Sequence, residues 1–105
     1  MPATTNPYPT ISLPAGAEWD GDWQPDEPQA YRIIYGADQS VEGHDLTMWT
    51  TATQYADGSI DIDSEPPTVN LQVSWDKGLT SDQARELSAL VLKAAADIDR
   101  WVAEA

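Results

Sequence analysis

The sequence predicts an α+β fold: an antiparallel β-meander of about four strands, one C-terminal helix packed on one face, and an irregular proline-rich arm ahead of them. Three observations carry that prediction. From Thr80 to Ala103 apolar residues recur at helical spacing behind a capping pair, Val69 to Trp75 alternates between apolar and polar residues, and Asp57-Gly58 separates two β-prone runs. A chain of 105 residues supports one modest core, so residues 31–105 read as a single domain and residues 1–30 as the arm.

The arm holds Pro2, Pro7, Pro9, Pro14, Pro25 and Pro28, which remove amide donors and disfavour helix at each preceding position. It also holds Ile11, Leu13, Trp19 and Trp23, which water solvates poorly. Two readings follow. Either these groups pack on the domain, or Trp19 and Trp23, set among Glu18, Asp20, Asp22, Asp26 and Glu27, form an acidic-aromatic binding peptide.

Tyr31 to Gly36 is β-prone and reads as the first strand, followed by a polar connection over residues 37–45 with Gly36 and Gly43 as breakers. Leu46 to Tyr55 is rich in Thr, Trp and Tyr, and Ser59 to Ser64 alternates through Ile60, Asp61, Ile62 and Asp63, so the two runs read as a hairpin. Its register stays open. A two-residue Asp57-Gly58 turn pairs Tyr55 with Ile60 and sets Trp49, Thr51, Thr53 and Tyr55 on the face of Ile60 and Ile62. A three-residue loop with Gly58 in the left-handed region puts Leu46, Met48, Thr50 and Ala52 there, leaving Trp49 and Tyr55 on the face of Asp61 and Asp63.

After Glu65-Pro66-Pro67-Thr68, the run Val69, Leu71, Val73 and Trp75 against Asn70, Gln72, Ser74 and Asp76 is the clearest half-buried strand. Asp76-Lys77-Gly78 then leads into the helix. Thr80 and Gln83 can satisfy each other's amides at its start, and Asp82 and Arg100 have the favourable signs for the helix dipole. Ala84, Leu87, Val91, Ala94, Ala95, Ile98 and Val102 fall on one stripe, with Arg85, Glu86, Lys93 and Arg100 opposite. That stripe is expected to cover Val69, Leu71, Val73, Ile60 and Ile62.

Charge narrows the partners. The net charge is -13, and residues 1–66 hold twelve acids against the one base Arg32. Such a field repels phosphate backbones, which argues against direct nucleic-acid binding and favours a protein partner with a basic surface. The absence of cysteine removes disulfide and thiolate chemistry. No basic leader, long apolar run or lipidation motif is seen, so neither secretion nor membrane insertion is indicated and the cytoplasm is the default location.

Candidate chemistry is sparse. His44, the only histidine, lies between Gly43 and Asp45 and reads as a solvated loop residue. Asp20-Gly21-Asp22 with Asp26-Glu27 fails the calcium-loop spacing, with Pro25 in the glycine position and Tyr31 where the bidentate glutamate belongs. Asp61 and Asp63 share a strand face at roughly 7 Å, a pairing that can serve glycoside cleavage or simply be the wet side of a one-sided sheet that discourages edge association. Trp75 and Trp101 read as core. No cofactor or metal is called for.

The stretches Thr53-Gln54-Tyr55-Ala56-Asp57-Gly58-Ser59-Ile60, Leu79-Thr80-Ser81-Asp82-Gln83-Ala84-Arg85-Glu86-Leu87 and Ala94-Ala95-Ala96-Asp97-Ile98-Asp99 resemble a group of small proteins of actinobacteria and their phages, mycobacteriophages included. The resemblance covers about half the chain, from the Leu46–Tyr55 strand onward. It carries no assigned activity or catalytic residue. It implies a phage or actinobacterial source, and hence a small acidic protein that binds a host or phage protein in the host cytoplasm.

Three functions are then expected in order. The first is a non-enzymatic interaction module binding or inhibiting a protein, with DNA mimicry a special case, through Trp19, Asp20, Asp22, Trp23, Asp26, Glu27, Trp49, Asp61 and Asp63. The second is a small enzyme using carboxylates or a divalent cation. The third is a structural role in which the arm, or a second copy in a homodimer, covers the free sheet face.

Overall fold

The computed structural model describes residues 11–25, 29–73 and 76–104. In chain order the elements are β1 (Ala17–Asp20), β2 (Tyr31–Gly36), β3 (Gln39–Ser40), β4 (Thr47–Tyr55), β5 (Thr68–Gln72) and α1 (Ser81–Glu104). The nine-residue β4 is the spine: β2 and then β3 pair along one edge, β5 pairs along the other, and β1 lies outside β2. Every pairing is antiparallel, so the sheet is the expected meander with a C-terminal helix, although two of its strands are not the expected ones.

β1 is the first difference. The arm was expected to be irregular, yet Ala17–Asp20 pairs with β2, and the strand-like course continues where Gly21 donates to the Ile33 carbonyl at 2.8 Å and Gln24 bridges Tyr31. β2 has one edge on β4, and its other edge offers unpaired amides and carbonyls that the four proline-free residues after Gly16 can meet. Asp26 and Glu27 lie outside the described residues.

The second difference is the run from Ser59 to Ser64. Tyr55 donates to the Ser59 carbonyl and Gly58 to the Tyr55 carbonyl, both at 2.9 Å, with Gln54 opposite Ile60 and Gly58 at φ +91°. This is the three-residue loop of the two registers, and it puts Leu46, Met48, Thr50, Ala52 and Gln54 on the buried face. The strand ends almost at once. The Asp61 carboxylate accepts the amides of Asp63, Ser64 and Glu65 at 2.9, 3.2 and 3.2 Å, which turns the chain away from β4. Pairing resumes at Thr68 opposite Thr51. Asp61 is therefore buried and Ile62 is 57% exposed, the reverse of the alternation expected there.

A smaller irregularity sits at Gly36. The connection over residues 37–45 contains β3, and between Tyr35↔Thr51 and Gln39↔Met48 the register slips by one residue. At the start of that slip a Cβ on Gly36 would run into Thr50 Oγ1, so the close approach of β2 to β4 requires glycine.

α1 begins with the predicted reciprocal cap: Thr80 N–H donates to Gln83 Oε1 at 2.9 Å and Gln83 N–H to Thr80 Oγ1 at 3.2 Å, worth about 1 kcal/mol. The helix packs on the even-numbered face of β4. Trp101 is wholly buried against Ile34, Ala52 and Ile60, and its Nε1 donates to the Ala15 carbonyl at 2.9 Å. Ala94 packs with Val41, Leu46 and Met48, flanked by Leu87, Leu90 and Val91. The buried stripe is thus rotated from the predicted one: Leu90 and Trp101 enter it and Ala84 is exposed. Arg85, Glu86, Lys93 and Arg100 are exposed as expected. The pairs Arg85–Asp82, Lys93–Asp97 and Arg100–Asp97 each contribute a few tenths of a kcal/mol, and Arg100 serves Asp97 while the last turn carries no base. Val69 and Val73 pack beneath the helix, Leu71 stays half exposed, and Trp75 lies outside the described residues.

Candidate interaction surface

Because α1 takes the even face of β4, the odd face carries the other half of the alternation. Residues opposite one another in an antiparallel sheet share a face, and the register makes Trp19, Tyr35, Thr51 and Thr68 one row across four strands. Ile33 with Thr53 and Tyr31 with Tyr55 form parallel rows on one side, and Trp49 with Asn70 on the other. The only helix among the described residues lies on the opposite face.

This face is aromatic and hydroxylated. Trp19, 53% exposed, stacks on Tyr35 with ring centroids 4.0 Å apart and planes within 9°, a contact worth about 0.5–1.5 kcal/mol. Thr51 and Thr68 share a hydrogen bond at 3.0 Å, and Asn70 Nδ2 donates to Thr51 Oγ1 at 3.1 Å. A shallow depression of about 300 Å³ lies between Ile33, Thr51, Thr53, Pro66 and Thr68, with Glu65 in its lining.

Carboxylates gather at one end. The hydrogen bond with Asp61 is the first cause that pushes the Tyr55 phenol above its ordinary value, followed by burial and the charges of Asp61, Asp63 and Glu65. The amide of Asp63 holds the Asp61 carboxyl below the usual range against the opposing effect of burial, with help from Tyr55, Ser64 and Glu65. At the loop tip, the Ser59 hydroxyl and then its amide hold Asp57 low.

The sequence-predicted residues separate into two groups. Trp19 and Trp49 lie on the open face, Asp63 is exposed beside Tyr55, and Asp22 is exposed after β1. Asp20, Trp23 and Asp61 do structural work instead. Asp20 faces Arg32 in an ion pair, the Arg32 guanidinium stands 4.8 Å from the Trp23 ring centroid, and Asp61 holds its turn. Asp61 and Asp63 are therefore not a matched pair on one wet strand.

His44 is also reassigned. Its side chain is 1% exposed: Nδ1 accepts the Leu46 amide at 3.0 Å, so Nε2 carries the proton and donates to the Lys77 carbonyl at 3.0 Å. It ties the loop before β4 to the approach of α1, far from a solvated role. Among the described residues no three histidine, aspartate or glutamate side chains are grouped to hold a metal ion, and no helix is long and apolar enough to cross a membrane.

Tyr31, Ile33 and Tyr35 join the surface through β2 pairing, and Thr51, Thr68 and Asn70 through β4 and β5. Their signal in sequence was the period-two alternation, readable only once the hairpin register was known. The chain matches no protein-family model, no curated protein and no solved structure.

Proposed function

We propose that this protein is a non-enzymatic interaction module whose open sheet face binds a protein with a basic surface. The observation that carries the reading is the exposed Trp19 stacked on Tyr35 in one face with Trp49 and Tyr55, beside Asp63 and Glu65. Aromatic anchors supply contact area at low entropic cost, and acids steer a cationic partner toward them. The net charge of -13 extends that steering over the whole molecule. The resemblance to actinobacterial and phage proteins supports a phage-encoded ligand of a host or phage protein in the host cytoplasm, with occupation of a nucleic-acid-binding surface as a special case.

The test is affinity capture from an actinobacterial lysate at low ionic strength, comparing the wild type with the Trp19→Ala/Trp49→Ala variant after circular dichroism has confirmed the variant's fold. The reading expects a basic protein retained by the wild type, released by salt and lost with the variant. Capture that is indifferent to both substitutions, or no capture, rejects it.

A further inference from the structure

The two edges of the sheet are built differently. On one side β1 carries Glu18 and Asp20 and is bulged between Ala17 and Trp19, the devices that discourage strand addition. On the other, β5 reads Thr-Val-Asn-Leu-Gln without charge or proline, and among the described residues nothing pairs with its outer edge.

The first half of α1 leans toward that unguarded edge, where Leu87, Leu90 and Val91 pack with Val69 and Val73, while Trp101 lies over Ile34. α1 lies closest to β4 and β5, and its two flanks have opposite character. Lys93 and Asp97 stand over Gly16, Glu18, Ala37 and Gln39. Ile98 and Val102 look the other way, into a groove of about 360 Å³ shared with Ile62, Pro66 and Pro67. At 100° per residue the flank of Val102 also carries Ala84, Ser88, Val91 and Ala95, with Asp99 at its outer border and in the lining of the groove. Val91, Ile98 and Val102 border the chain's own core here, while Ala84 and Ser88 are left exposed. Below it, Leu71 is 50% exposed although it points to the helix face opposite Met48.

We propose that a second copy of this chain occupies this edge, β5 pairing antiparallel with β5 of its twin so that one sheet runs through both molecules and the two α1 flanks pack together. The spacing fits. Strands stand about 4.8 Å apart, so the part of α1 around Leu87, Leu90 and Val91, which packs with Met48 of β4 and Val69 of β5, comes to about 10 Å from its twin, an ordinary helix-packing separation. Ala84, Ser88 and Ala95 are small enough to permit it. Charge selects the same edge: a chain of net charge -13 repels its copy over most of its surface, β5 carries no carboxylate, and Asp99 is the one acid in the lining of the groove beside it. Such a pairing is isologous and closes at two copies.

Sedimentation equilibrium of the full chain over a wide concentration series tests this. The expected result is a species of twice the 11.5 kDa chain mass, weakened about tenfold or more by Leu71→Glu, which sets like charges across the dyad, and unchanged by Trp19→Ala/Trp49→Ala, the substitutions that test the open face. If Leu71→Glu unfolds the chain, single cysteines introduced from Thr68 to Gln72 into this cysteine-free sequence decide the matter by whether they form intermolecular disulfides under mild oxidation. A wild type that stays monomeric at every concentration, a dimer insensitive to Leu71→Glu, or cysteines on β5 that never cross-link would each overturn the proposal.

Discussion

Arg32 donates from Nε to Gln54 Oε1 at 2.8 Å, joining β2 to β4 at directly opposed positions on the helix face. The rest of its guanidinium reaches the arm: Nη2 donates to the Ile11 carbonyl at 2.8 Å, Nη1 pairs with Asp20, and the Trp23 ring lies alongside. The single base of the first 66 residues is thus the fastening point of the arm. A lysine offers one point charge in place of this planar fork. Arg32→Lys is expected to lose about 2 kcal/mol, because hydrogen bonds to charged groups are worth about 1.5–3 kcal/mol each. Urea denaturation measures the loss, and limited proteolysis should cut the arm of the variant before the sheet.

Gly36 and Thr50 test the β2–β4 contact. Gly36→Ala is expected to destabilise by about 1–3 kcal/mol, since the added methyl meets Thr50 Oγ1 in a packed interior. Thr50→Ala removes that oxygen, so the double variant should be more stable than the sum of the single effects predicts, by about 1 kcal/mol. A double-mutant cycle in denaturant reads this coupling, and strict additivity would refute the close approach.

Asp61 makes stability depend on acid. Its folded value lies below its unfolded one, so the ionised form stabilises the fold at pH above the ordinary aspartate value of about 3.9, and the contribution is lost as the pH falls through the lower folded value. Asp61→Asn should lower the melting temperature at neutral pH and flatten its acid limb. Asp57, held low by Ser59, leaves a residual slope of the same sign. Melting curves from neutral pH down to the acid transition provide the measurement.

Tyr55 acts at the other end of the scale. Its phenol is raised by the Asp61 hydrogen bond, so its contribution is present below the ordinary tyrosine value of about 10 and is lost as the pH rises through the folded value. In an ultraviolet titration, Tyr55→Phe should remove a tyrosine transition lying above the ordinary value, and Asp61→Asn should bring that transition down.

Trp101 closes the core and also carries a polar tether. Trp101→Ala is expected to lose about 3–5 kcal/mol. Trp101→Phe keeps most of the packing but leaves the Ala15 carbonyl without its donor, for a loss of about 1–2 kcal/mol by chemical denaturation.

Periodicity over long segments made α1, β2, β4 and β5 legible in sequence, and the Thr80–Gln83 cap could be read from two residues. β1 could not be read that way. It has four residues between prolines, and what makes it a strand is the free edge of β2, a partner more than ten residues away. Ile60-Asp61-Ile62-Asp63 misled for a different reason: alternation describes a half-wet strand and equally an aspartate that caps its own turn, and only the amides of residues 63–65 distinguish them. Of the candidate surface, Trp19 and Trp49 were named from sequence, the face of Trp49 depending on the hairpin register; Trp19 is exposed and Trp49 half-buried. That Trp23 packs on the domain was one of its two readings, but the structural roles of Asp20 and Asp61 were not legible, because nothing in composition says which of twelve acids Arg32 will hold or which will cap a turn.

The turn at Asp61 leaves the molecule with a place to grow. The chain departs from β4 after Asp61 opposite Thr53 and rejoins it at Thr68 opposite Thr51, two residues further along the spine. The anchors on either side of residues 62–67 are already held together by the sheet, so lengthening this stretch adds only the slow logarithmic term of loop closure. Sequence inserted here would be displayed beside the depression formed by Ile33, Thr53 and Pro66, which makes residues 62–67 the natural position for grafting a reporter or a new recognition loop without redesigning the fold.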